Sequence, residues 1–64
     1  MSMTVYVLFN PNNEMMEICK DVSTALALVN ELAEGSYHVS RDTDNTYVHT
    51  EDGTFLISKW DVME

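Results

Sequence analysis

Residues 37–60 decide the fold: Y-H-V-S-R-D-T-D-N-T-Y-V-H-T-E-D-G-T-F-L-I-S-K-W. Three short runs rich in β-branched and aromatic residues are separated by two clusters of turn-forming residues, and this pattern predicts a three-stranded meander. The strands run from Tyr37 to Arg41, from Thr46 to Thr50 and from Thr54 to Trp60. Asp42-Thr43-Asp44-Asn45 and Glu51-Asp52-Gly53 are the turns. Asp52-Gly53 is a strong hairpin signal, because both residues tolerate positive φ. A two-residue loop there sets Val48 opposite Ile57 and Thr50 opposite Phe55. Val48, Phe55 and Ile57 then share one face, with Tyr47, His49, Leu56, Ser58 and Trp60 on the other. The first hairpin has two open registers. A two-residue loop pairs Val39 with Val48, whereas Asn45 in a left-handed position favours a three-residue loop with a bulge.

Upstream, Met3 to Phe9 reads as a well-buried strand, apolar on both alternating sets. Asn10-Pro11-Asn12-Asn13 is a turn. Glu14 to Lys20 returns as a second strand, with Met16 and Ile18 inward and Glu17 outward; a helix is the weaker alternative, since Met and Glu both favour it. Asp21 or Ser23 is suited to cap a helix over Thr24 to Glu34, with Gly35 at its C-terminal stop. Ala25, Leu28, Val29 and Leu32 recur at the spacing of one helix face. The expected architecture is α+β: one domain over residues 1–64, an antiparallel sheet of about five strands in the order ββαβββ, and one helix packed on one face.

Sixty-four residues lie near the lower limit for folding without a staple. The single Cys19 excludes an internal disulfide, and no Cys and His cluster has zinc-finger spacing. Cys19 reads as a small buried residue at a strand end. Met15 and Met16 read as core fillers, with an apolar surface patch of Met15, Tyr47 and Trp60 as the alternative. His38 and His49 face each other in the two-residue register, but no third ligand has the spacing to complete a metal site. There is no nucleophile elbow or glycine-rich loop. Neither catalytic residues nor cofactors are expected, and the chain reads as a binding protein.

Charge points to what it binds. Eleven Asp and Glu stand against three Lys and Arg, a net charge of -8, in a chain that is 45% hydrophobic. Such a chain folds and displays its charge, which repels nucleic acid and lipid headgroups and attracts basic surfaces. Asp42, Asp44, Glu51 and Asp52 sit on successive turns, and a row of carboxylates running on to Asp61 and Glu64 would imitate the charge of a duplex. Glu31 and Glu34 lie near the negative end of the helix dipole, where stability does not favour them. Trp60, amid these carboxylates, is either an interface anchor or a lid on the core edge. The expected partner-binding set is therefore Glu31, Glu34, Asp42, Asp44, Glu51, Asp52, Trp60, Asp61 and Glu64.

In size, acidity and single-domain character the whole chain resembles the small accessory proteins that phages make against host restriction, CRISPR and transcription machinery, some of which are DNA mimics. That resemblance implies an inhibitor of a basic, nucleic-acid-binding protein, acting in the host cytoplasm. No motif carries it, so no residue role transfers. The competing expectation is an interaction module or homodimer that uses an apolar face or an edge strand, with charge serving solubility. Neither reading includes direct contact with nucleic acid or with a membrane.

Overall fold

A computed structural model describes residues 2–33 and 35–63. Five strands and one helix follow in the order ββαβββ: β1 (Ser2–Phe9), β2 (Met15–Cys19), α1 (Val22–Leu32), β3 (His38–Arg41), β4 (Asn45–Thr50) and β5 (Gly53–Met63). The strands form one antiparallel sheet in the spatial order β2-β1-β5-β4-β3. The longest strands, β1 and β5, lie at its centre.

The first turn is closed by one side chain. Asn10 Oδ1 accepts the N–H groups of Asn12 at 3.0 Å and Glu14 at 2.8 Å. Asn13 takes a left-handed φ of 66°, as the asparagine-rich sequence suggests. In β2 the expected inward set is overturned. The pairing of β1 with β2 slips between Leu8↔Glu17 and Phe9↔Met15, leaving Met16 as the extra residue of a bulge. Ile18 pairs with Val7, away from the helix, and is 55% exposed. The inward residue of β2 is Cys19, which is buried. Met15 and Met16 are exposed and fill no core.

Asp21 caps the helix, accepting the Thr24 N–H and the Thr24 hydroxyl at 2.8 Å each. The helix begins at Val22 and ends at Leu32, with Ala33 as its C-cap donating to the Val29 carbonyl at 2.7 Å. Gly35 has the expected positive φ of 88° but stands two residues beyond the cap. The expected end of the helix at Glu34 lies outside the described residues. Ala25 and Val29 are fully buried, and Val22, Leu26 and Leu28 pack beside them. Leu32, expected in the core, is 53% exposed. The stripe 22, 25, 26, 29 has the same helical spacing as the expected one but sits a turn closer to the N-terminus. Leu32 is the last residue of the helix. The helix meets Leu8, Cys19, Val48, Phe55 and Ile57, and these residues make the core.

The meander takes the two-residue register at its first turn: Val39 pairs with Val48, and Asp42 N–H donates to Asn45 O at 2.9 Å. At the second turn the expected register is corrected by one pair. Thr50 pairs with Gly53, so the loop is Glu51-Asp52, and Val48 faces Phe55 instead of Ile57. The Thr50 hydroxyl closes this turn, donating to Gly53 O at 2.8 Å and accepting from Asp52 N–H at 3.2 Å. Gly53 instead opens β5 with φ 132° and lies against Pro11; a Cβ there would sit 2.7 Å from the Pro11 ring. A shift of two residues leaves every side chain on its expected face.

Candidate protein-binding surface

The helix covers one face of the sheet. The opposite face carries Val5, Val7 and Phe9 from β1, Ile18 from β2, and Leu56, Trp60 and Val62 from β5. Tyr47 and His49 from β4 and His38 and Ser40 from β3 complete it. Its β2-β1-β5 half holds a groove of about 330 Å³ lined by Val5, Val7, Phe9, Met15, Ile18, Trp60 and Val62. None of these seven side chains is ionisable. Trp60 is 54% exposed and Met15 62%, so the surface-patch reading of these residues holds and Trp60 is no core lid. Tyr47 sits farther across the face, half-buried.

This face continues onto a projecting arm. β2 pairs with β1 only from Tyr6 onward, and β4 pairs with β5 only as far as Ser58. Ser2–Val5 and Trp60–Met63 therefore pair with each other alone. The arm lengthens the molecule to 40 Å against 20 Å in the other two directions. A two-stranded ribbon is marginal in water on its own. Yet this one exposes Met3, Trp60 and Val62 on one side.

Charge is sorted by face. The Asp, Glu, Lys and Arg residues within the described strands are Glu17, Arg41, Lys59 and Asp61. Each lies on the helix side of the sheet: Glu17 opposite Leu8, Arg41 opposite Thr46, Lys59 opposite Tyr6 and Asp61 opposite Thr4. Thr4 donates its hydroxyl proton to Asp61 at 3.0 Å. The remaining described carboxylates lie in turns or on the helix and its cap.

The expected partner-binding residues divide between two ends. Glu51 and Asp52 share an end with the C-terminal end of the helix, since the Glu51 carboxylate lies against Gly35. Glu31, in the last turn of α1, is exposed near that end. Asp42 and Asp44 lie at the other end of β4, where the Asp44 carbonyl accepts Lys59 N–H at 2.9 Å. Asp61 follows two residues along β5. The six residues of β4 separate the two turn clusters by about 20 Å. The turn carboxylates thus sit at opposite ends of the shared strand, as the meander order requires. Glu34 and Glu64 lie outside the described residues.

The histidines pair as the two-residue register requires, ring centroids 4.7 Å apart. Both nitrogens of His49 are engaged, Nε2 with Ser40 Oγ at 2.8 Å and Nδ1 with Thr54 Oγ1 at 3.2 Å. Among the described residues no three His, Cys, Asp or Glu converge on a metal position. Cys19 lies against the helix; burial raises its thiol pKa, and Glu17 and Asp21 raise it further. That environment suits packing and suppresses the reactive thiolate. Among the described residues no helix is long and apolar enough to cross a membrane.

The sequence singled out Trp60 on this face but not Met3, Val5, Val7, Phe9, Ile18 and Val62, which share it. The alternation in M-T-V-Y-V-L-F was visible, but both alternating sets are apolar, so the sequence could not say which one the helix covers. No protein-family model, curated protein or solved structure matches this chain.

Proposed function

We propose that this chain is a small acidic protein that acts by binding another protein, as an inhibitor or modulator of a partner with a basic, nucleic-acid-binding surface. Its most specific form is a phage-type DNA mimic. The observation that carries the reading is the sorting of charge. The described carboxylates leave one sheet face free and gather on the turns, the helix side and the ends. A surface built that way steers a basic partner from a distance and keeps like-charged nucleic acid away. The groove supports binding over catalysis, because it offers a substrate no polar or ionisable group.

The test has two stages. Capture from a bacterial lysate at low and high salt identifies the partner, and a salt-sensitive partner is expected. Association kinetics then compare the native chain with a variant carrying Lys at Asp42, Asp44, Glu51 and Asp52. All four are exposed turn residues and should accept the change without unfolding. The variant is expected to associate at least about tenfold more slowly at low salt, with a weaker salt dependence. A folded variant that associates at the native rate contradicts the acidic-surface reading. A second reading, an interaction module in which charge serves only solubility, is favoured by the apolar groove.

A further inference from the structure

We infer that the open sheet face is a homodimer interface, on which a second copy of this chain lies face to face. The inference does not depend on the identity of the basic partner.

The first argument is electrostatic. Two chains of net charge -8 repel each other, and most ways of joining them would set carboxylates against carboxylates. The open face is the exception. Every Asp, Glu, Lys and Arg in the described strands lies on the helix side of the sheet. Stacking two open faces leaves those groups pointing away from the seam. Charged residues are depleted, and aromatic residues and Met enriched, at the centres of protein interfaces. The groove supplies Trp60, Phe9 and Met15.

The second argument is area. The five strands, four to eleven residues long and about 4.8 Å apart, make a face of about 550 Å² in plan. Side-chain relief brings it toward the roughly 800 Å² that each partner gives to a standard interface. Two sheets stacked about 10 Å apart make an ordinary sandwich. Here it would have helices on both outer surfaces. The less apolar β4-β3 half, with Ser40, Tyr47, His38 and His49, would serve as a polar rim.

The third argument is the arm. Alone, Ser2–Val5 and Trp60–Met63 form a two-stranded ribbon with an apolar side in water. In a two-fold pair the arm of each copy crosses the partner's sheet, and the groove of each receives the apolar side of the other. The same patch serves on both subunits, as an isologous interface requires.

The test is sedimentation equilibrium of the full chain from micromolar to near-millimolar concentration, at low and high salt. A species of twice the 7.3 kDa chain mass is expected, tighter at high salt because screening removes repulsion. Capture by a basic partner moves the opposite way with salt, so the two readings fail separately. Trp60→Glu and Ile18→Glu should each weaken the dimer at least about thirtyfold, as loss of a buried anchor does. Glu17→Lys, adjacent in sequence to Ile18 but exposed on the other face, should leave the dimer intact or tighten it. Circular dichroism checks that each variant is folded, and having two open-face variants guards against either one failing to fold. A chain that stays monomeric at high salt and near-millimolar concentration overturns the inference. So does a dimer that survives both open-face variants, which would place the contact on an edge strand. A monomer whose open face is instead occupied by an unlike protein also overturns it.

Discussion

Leu8 and Leu32 both fall in apolar patterns, yet they have different roles. Leu8 sits on a central strand beneath Ala25 and Val29 and is fully buried. Leu32 lies in the last turn of the helix, more than half exposed. Leu8→Ala should therefore cost about 2–5 kcal/mol. In a domain this small that is a large part of the total stability. Leu32→Ala should change stability by no more than about 0.5 kcal/mol. Urea unfolding of the two variants checks both values, and a large loss at Leu32 would mean that the helix lies differently on the sheet. The sequence placed both leucines in apolar patterns. It could not show which stripe of the helix faces the sheet, and the buried stripe of Ala25 and Val29 leaves Leu32 exposed.

At the scale of the element, local chemistry was legible wherever one side chain closes a structure. Asp21 was recognisable as a cap and Asn10-Pro11-Asn12-Asn13 as a turn, because each satisfies nearby backbone N–H groups. Registers that depend on a more distant contact were not. Asp52-Gly53 has the local preference for a hairpin loop, but the Thr50 hydroxyl closes the turn one pair earlier and Pro11 packs against Gly53. The bulge at Met16 likewise arises from pairing with β1, which no window on β2 reveals. Asp21 supplies a test at this scale. The Thr24 N–H, and then the Thr24 hydroxyl, hold its carboxylate below the usual Asp pKa. A folded pKa below the unfolded one means that the unfolded chain binds more protons, so the contribution is complete above about pH 4 and is lost as pH falls through the lowered value. Asp21→Asn keeps a capping oxygen but does not titrate. Melting curves of the native chain and this variant should converge as the pH falls below that window. A difference that stays constant across the acid range would show that the cap is not ionic.

At the scale of the whole molecule, the order ββαβββ and the single helix-covered face were legible from the period-two and helical patterns. The amount of charge was legible too; its arrangement was not. Alternating strand positions fix that Glu17, Lys59 and Asp61 each lie opposite their sequence neighbours. Only the docking of the helix decides that they share its side and that, among the described strand residues, the other side carries none. Among the described residues, a chain with eight surplus negative charges has kept one sheet face clear of them, and with it the apolar side of an exposed arm. In the proposed homodimer this face is covered. Trp60, the only tryptophan, lies on it and reports on it directly. The decisive measurement is Trp60 emission, with acrylamide quenching, as the folded protein is diluted at high salt. The proposed dimer gives a blue-shifted, protected tryptophan at high concentration that turns red-shifted and quenchable on dilution, with circular dichroism unchanged. A red-shifted, freely quenched Trp60 at every concentration would contradict it.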